Sequence, residues 1–116
     1  MTNLTPERVF YYFKQISDVP RGSGNCNGMA HFCKNFAENH NLRYVKDDAD
    51  NVVIFKNGTP GYEKSDPVIL QGHTDMVCEK NASTVHDFTK DPLKLRVENG
   101  FLSADGTTLG ADDGVA

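Results

Sequence analysis

Val9, Phe10, Phe13 and Ile16 recur at the spacing of one helical face. Thr5-Pro6-Glu7 stands ahead of them and reads as N-cap, first helical position and acidic first turn. Val19-Pro20-Arg21-Gly22-Ser23-Gly24 then breaks the helix with a proline and two glycines. A second amphipathic helix is predicted from about Asn25 to Asn39, burying Met29, Phe32, Cys33 and Phe36. From Leu42 the period falls to two. Leu42 and Tyr44, the polar turn Asp47-Asp48-Ala49-Asp50-Asn51, and Val52-Val53-Ile54-Phe55 predict a hairpin. Pro67-Val68-Ile69-Leu70 has the continuous apolar character of a central strand covered on both faces, running to about Gly72. Residues 79–92 show no period and read as a long functional or partner-facing loop. Leu93-Lys94-Leu95-Arg96-Val97 and Phe101-Leu102-Ser103 flank an Asn99-Gly100 turn, a second hairpin. Two helices, paired strands and a central strand predict an α/β sandwich with a mixed sheet.

Composition narrows the function classes. The 116 residues suffice for one small domain with a core. A net charge of −4 gives no electrostatic reason to expect nucleic acid or an acidic membrane as partner. No apolar run approaches the ~20 residues that span a bilayer, and Met1-Thr2-Asn3-Leu4 lacks the start of a signal peptide. Cys26, Cys33 and Cys78 are odd in number and irregularly spaced, which predicts reduced thiols and a cytoplasmic protein.

The chemistry gathers at the end of the apolar strand, Gly72-His73-Thr74-Asp75. In an extended segment residues two apart project to one side, so His73 and Asp75 can converge. Neutral imidazole is a good ligand for zinc and similar metals, and a nearby carboxylate commonly accepts the remaining ring N–H. The plainer alternative is a strand-end histidine capped by an aspartate, with no metal. Asp112-Asp113 lies between Gly110-Ala111 and Gly114. A carboxylate there can bridge two metals or serve as the acidic first turn of a helix. Asp112 to Ala116 reads as a helix start, and the expectation is a chain that forms the N-terminal part of a longer protein. His31, His40 and His86 lack partners at ligand spacing and are expected at the surface. Asp48-x-Asp50 lacks the glycine of a calcium loop. Arg21-Gly22-Ser23-Gly24-Asn25 is neither a nucleophile elbow nor a phosphate loop, and its glycines are expected to make a tight connection.

Three longer stretches carry a family resemblance: 69–77 (Ile-Leu-Gln-Gly-His-Thr-Asp-Met-Val), 84–92 (Thr-Val-His-Asp-Phe-Thr-Lys-Asp-Pro) and 107–114 (Thr-Thr-Leu-Gly-Ala-Asp-Asp-Gly). Together they closely resemble the bacterial aminoacyl-histidine dipeptidases, also known as Xaa-His or cytosolic non-specific dipeptidases. These are a branch of the zinc aminoacylase/carboxypeptidase metallopeptidases. The resemblance extends over essentially the whole chain, including the opening helix and the Val19-Pro20 break.

The resemblance implies the fold of a zinc peptidase α/β/α sandwich, with residues 1–116 as the N-terminal portion of the catalytic domain. It implies His73 as ligand to one metal and Asp75 as the catalytic carboxylate that orients it. Asp112 matches the bridge between both metals, with Asp113 beside it and a cis peptide expected between the two. The general-base glutamate, the remaining ligands and a lid domain with dimer contacts are implied to lie beyond Ala116. The implied activity is hydrolysis of Xaa-His and other dipeptides by water activated at two zinc ions, or other divalent metals, in a cytoplasmic homodimer. The chain by itself is expected to be inactive. A related metal-dependent deacetylase or carboxypeptidase, and a non-catalytic binding module that keeps the fold, are the alternatives.

Overall fold

The structure is a computed structural model and describes residues 4–112. It contains two α-helices and two antiparallel hairpins, in the order α1 (Glu7–Ser17), α2 (Asn27–Asn39), β1 (Arg43–Lys46), β2 (Val52–Phe55), β3 (Leu95–Glu98) and β4 (Phe101–Ala104). The chain divides into two compact units, Met1–Met29 with Gly72–Ala116, and Ala30–Gln71.

In the first unit, α1 buries Phe13 and Ser17. Its start differs from the sequence expectation. Pro6 keeps an extended ψ of 129° and itself occupies the N-cap position, so Glu7 opens the helix and no side chain caps it. Val9 stays largely exposed, so the packed stripe is narrower than the sequence pattern implies. Asn25 donates its N–H to the Gly22 carbonyl in a tight turn, which delays α2 to Asn27. The hairpin of β3 and β4 forms as predicted, with Glu98 opposite Phe101. Asn99 and Gly100 both have positive φ (51° and 80°), the backbone that a two-residue turn between twisted strands demands.

The 84–92 stretch folds on itself. The Asp87 carboxylate accepts bonds from the Thr89 N–H and hydroxyl, and the Asp91 carboxylate accepts the Asp87 N–H. Leu93 follows, buried, with its N–H on the Ser17 carbonyl at the end of α1. His86 corrects the surface expectation. It is only 9 % exposed and its ring packs edge-on against Phe88. An aperiodic segment gives no sequence cue to such burial.

In the second unit α2 ends in a Schellman turn. Asn41 adopts the left-handed conformation (φ 54°), and the N–H groups of Asn41 and Leu42 reach the carbonyls of Glu38 and Ala37. Strands β1 and β2 pair from Arg43 opposite Phe55 to Lys46 opposite Val52, with the Arg43 guanidinium over the Phe55 ring. Asp47 organises their turn, accepting from the N–H groups of Ala49 and Asn51 and from the Asn51 side-chain amide.

The apolar stretch Val68–Leu70 forms no strand and is 84 %, 83 % and 94 % exposed. The expected central strand is therefore not formed, and every paired strand among the described residues belongs to an antiparallel two-stranded sheet. The physical reason is the lack of a pairing partner: each hairpin satisfies its own inner edge, and no described strand pairs with 68–70 to make it central. No described helix is long and apolar enough to cross a membrane.

The side-chain amide of Asn51, followed by backbone N–H groups, holds the Asp47 carboxyl below its ordinary range. Its folded value thus lies under its unfolded value of about 3.9, so its contribution is present above that pH and is lost as the pH falls through the folded value. Asp47→Ala is expected to lower the urea midpoint at pH 7, with the difference from the parent shrinking towards pH 2. Equal midpoint differences at both pH values would contradict this role.

Candidate metal half-site

His73 and Asp75 lie on an extended segment whose next residue, Met76, forms a parallel bridge to Gly22. The Met76 N–H donates to the Arg21 carbonyl at 2.9 Å. The approach is close: a Cβ at Gly22 would stand 2.8 Å from the Cys78 sulfur, which would have to shift. The turn after α1 therefore lies directly against the His73–Met76 segment.

The His73 ring is fixed from one side. Nδ1 stands 3.0 Å from the Asp75 backbone carbonyl and 3.1 Å from Asp75 Oδ1. Both facing atoms are acceptors, so Nδ1 carries the proton and Nε2 is the nitrogen left to bind. The other carboxylate oxygen, Oδ2, accepts the Ser23 hydroxyl. A continuous Ser23–Asp75–His73 chain results. Nε2 points to Asp112, 3.4 Å from its Oδ2. Two ligands bonded at ~2.0–2.1 Å to one tetrahedral ion sit about 3.4 Å apart, so the two atoms already have the spacing of adjacent ligands.

Arg21 joins the two segments. It is 1 % exposed, and its guanidinium donates through Nη1 to the Thr74 carbonyl (3.3 Å) and through Nη2 to the Gly110 carbonyl (2.5 Å). Burial pulls its pKa below the ordinary value, opposed by the charges of Asp112, Cys78 and Asp75. Gly110 has φ +63°, and a Cβ there would meet Arg21 Nη2 at 2.7 Å and the Met76 sulfur at 2.8 Å. Neither Arg21 nor Ser23 stood out in the sequence, because a connection rich in proline and glycine shows no period that reports burial.

The structure thus brings His73, Asp75 and Asp112 together. Asp113, and with it the expected Asp112–Asp113 cis peptide, lies outside the described residues. His31 and His40 are exposed, as expected. The three cysteines are free thiols. Among the described residues no group of three or more His, Cys, Asp or Glu could hold a metal ion. The donor set therefore fits half of a zinc shell: one oriented imidazole nitrogen and one carboxylate.

No family model matches the sequence. The chain is 37 % identical over 115 residues to the cytosol non-specific dipeptidase of Escherichia coli strain K12, covering 99 % of this chain and 24 % of that protein. Its fold superposes on the crystal structure of aminoacylhistidine dipeptidase from Vibrio alginolyticus with a TM-score of 0.91 and 37 % identity, over 98 % of this chain and 23 % of that one. Both relatives are dipeptidases, and the structural match supports an α/β fold. The chain spans about a quarter of the length of these relatives.

The hydrogen bond to Asp75 raises the His73 pKa, with Asp112 adding to it against the opposing effect of desolvation. A raised histidine stabilises the fold below its unfolded value of about 6.5 and ceases to do so as the pH rises through the folded value. In metal-free buffer, Asp75→Asn is expected to move the His73 titration midpoint down, as read by NMR of the ring protons. An unmoved midpoint would show that the pair does not set the imidazole's charge.

Proposed function

We propose that this chain is the N-terminal portion, residues 1–116, of the catalytic domain of a metal-dependent dipeptidase that hydrolyses Xaa-His and other dipeptides. His73 Nε2 and Asp112 would hold the divalent metal, with Asp112 shared between two ions, and Asp75 would keep the imidazole in the ligating tautomer. The observation that carries this reading is the 3.4 Å approach of His73 Nε2 to Asp112 Oδ2 while Nδ1 is occupied by Asp75. Two dipeptidases that resemble the chain over nearly all of its length support it.

Zinc, or a similar divalent metal, supplies a Lewis acid that acidifies water and polarises a carbonyl when bound in such a site. The chain's own residues orient and charge-balance. Asp75 and Ser23 keep the Nδ1 proton in place, so a lone pair is available at Nε2 once that nitrogen is deprotonated. Asp112 adds a negative charge facing it. Three protein ligands are usual in catalytic zinc centres, so this reading requires ligands and a general base from other parts of the protein. It also takes the protein to be a cytoplasmic homodimer that acts on dipeptides and needs neither nucleic acid nor a membrane.

The test uses the protein as its gene encodes it. His73→Ala and Asp112→Ala are each expected to abolish Xaa-His hydrolysis, with bound metal falling most in Asp112→Ala because both ions lose a ligand. Asp75→Asn is expected to keep most of the metal and lose about 10- to 100-fold in activity. Metal analysis of the purified variants beside a dipeptide assay reads both effects. Full activity with two tightly bound ions in Asp112→Ala would remove the bridge assignment. Turnover of N-acyl amino acids in preference to Xaa-His dipeptides would favour a deacetylase.

A further inference from the structure

The connection between α1 and α2 does more than join helices. Its backbone and two of its side chains reach every segment of the half-site. The Arg21 carbonyl accepts the Met76 N–H, and the Arg21 guanidinium spans the carbonyls of Thr74 and Gly110. Thr74 is next to His73, and Gly110 is two residues before Asp112. Ser23, one residue past the Gly22 bridge, donates to Asp75. We propose that the turn Arg21–Gly22–Ser23 is the positioning device of this half-site: Arg21 sets the spacing between the loops of His73 and Asp112, and Ser23 locks Asp75 against the His73 ring. The proposal rests on the metal-site reading above.

Two physical points separate positioning from mere charge or packing. A guanidinium close to a dication repels it, so Arg21 acting only as a charge would weaken metal binding, and its loss would strengthen it. Positioning has the opposite sign. The planar fork that reaches two carbonyls is also a property of arginine that lysine lacks, although both are cations. Arg21→Lys therefore keeps the charge and removes the clamp. Ser23 is exposed, so Ser23→Ala removes one hydrogen bond with little effect on the core.

Zinc is titrated calorimetrically into the protein as its gene encodes it, and cobalt spectra report ligand geometry. Melting temperatures are recorded in parallel. Arg21→Lys and Ser23→Ala are each expected to lose about 10- to 100-fold in zinc affinity, the usual effect of disturbing the groups behind a ligand. The cobalt spectrum is expected to change while Ser23→Ala melts at the parental temperature. Unchanged or tighter zinc binding in Arg21→Lys overturns the proposal. Should Arg21→Lys fail to fold, unchanged affinity in Ser23→Ala overturns it instead. If His73→Ala leaves zinc binding intact, the metal reading itself is wrong. Crystal structures of the parent and Arg21→Lys then decide the clamp: a His73 Nε2–Asp112 Oδ2 separation wider in the variant supports it, and an unchanged one overturns it.

Discussion

A buried guanidinium has to be satisfied, because an unpaired charge removed from water costs several kcal/mol or more. Arg21 meets part of that demand through Nη1 and Nη2, on the backbone carbonyls of Thr74 and Gly110, which belong to segments far apart in sequence, while its buried Nε finds no partner among the described residues. These two bonds from one side chain fix the approach of two loops. The tolerances around it are narrow. A Cβ at Gly110, which already has a positive φ, would crowd Arg21 and Met76, and one at Gly22 would displace the Cys78 sulfur. The same turn carries a backbone bond to Met76 and a hydroxyl bond to Asp75. The first unit is organised around this crossing as much as around the apolar packing of Phe13, Met29, Met76 and Leu93.

What the crossing presents is a histidine with one defined nitrogen. Asp75 contributes two acceptors to Nδ1, its carboxylate and its own backbone carbonyl, so the ring's tautomer follows from the local chain. Asp112 then faces Nε2 at ligand spacing. The geometry supplies an oriented donor and a carboxylate, and further ligands are needed for a catalytic centre. This division of labour accords with a chain that matches about a quarter of two dipeptidases at 37 % identity.

Local chemistry was the legible part of the sequence. The Asn99-Gly100 turn, the Asp47–Asn51 turn and the two helices were readable because each is decided by neighbours within a few residues. His73, Asp75 and Asp112 stand out by motif and spacing, and the structure places them side by side. The structure departs from local pattern where distant partners decide the outcome. Val68–Leu70 has the composition of a central strand yet finds no flanking strand among the described residues. Thr5 lost the cap because the Pro6 backbone stays extended. His86 is buried by a loop that folds onto Phe88, and Arg21 by two carbonyls 53 and 89 residues away, relations that no local pattern encodes.

The proposed function depends on His73 Nε2 and Asp112 belonging to one metal shell. Anomalous diffraction at the zinc edge, on zinc-loaded crystals of the protein as its gene encodes it, tests this most directly. The expected result is a zinc peak about 2.0–2.2 Å from both His73 Nε2 and a carboxylate oxygen of Asp112, with Nδ1 still bonded to Asp75. Zinc bound elsewhere, with His73 Nε2 free of metal, would contradict it.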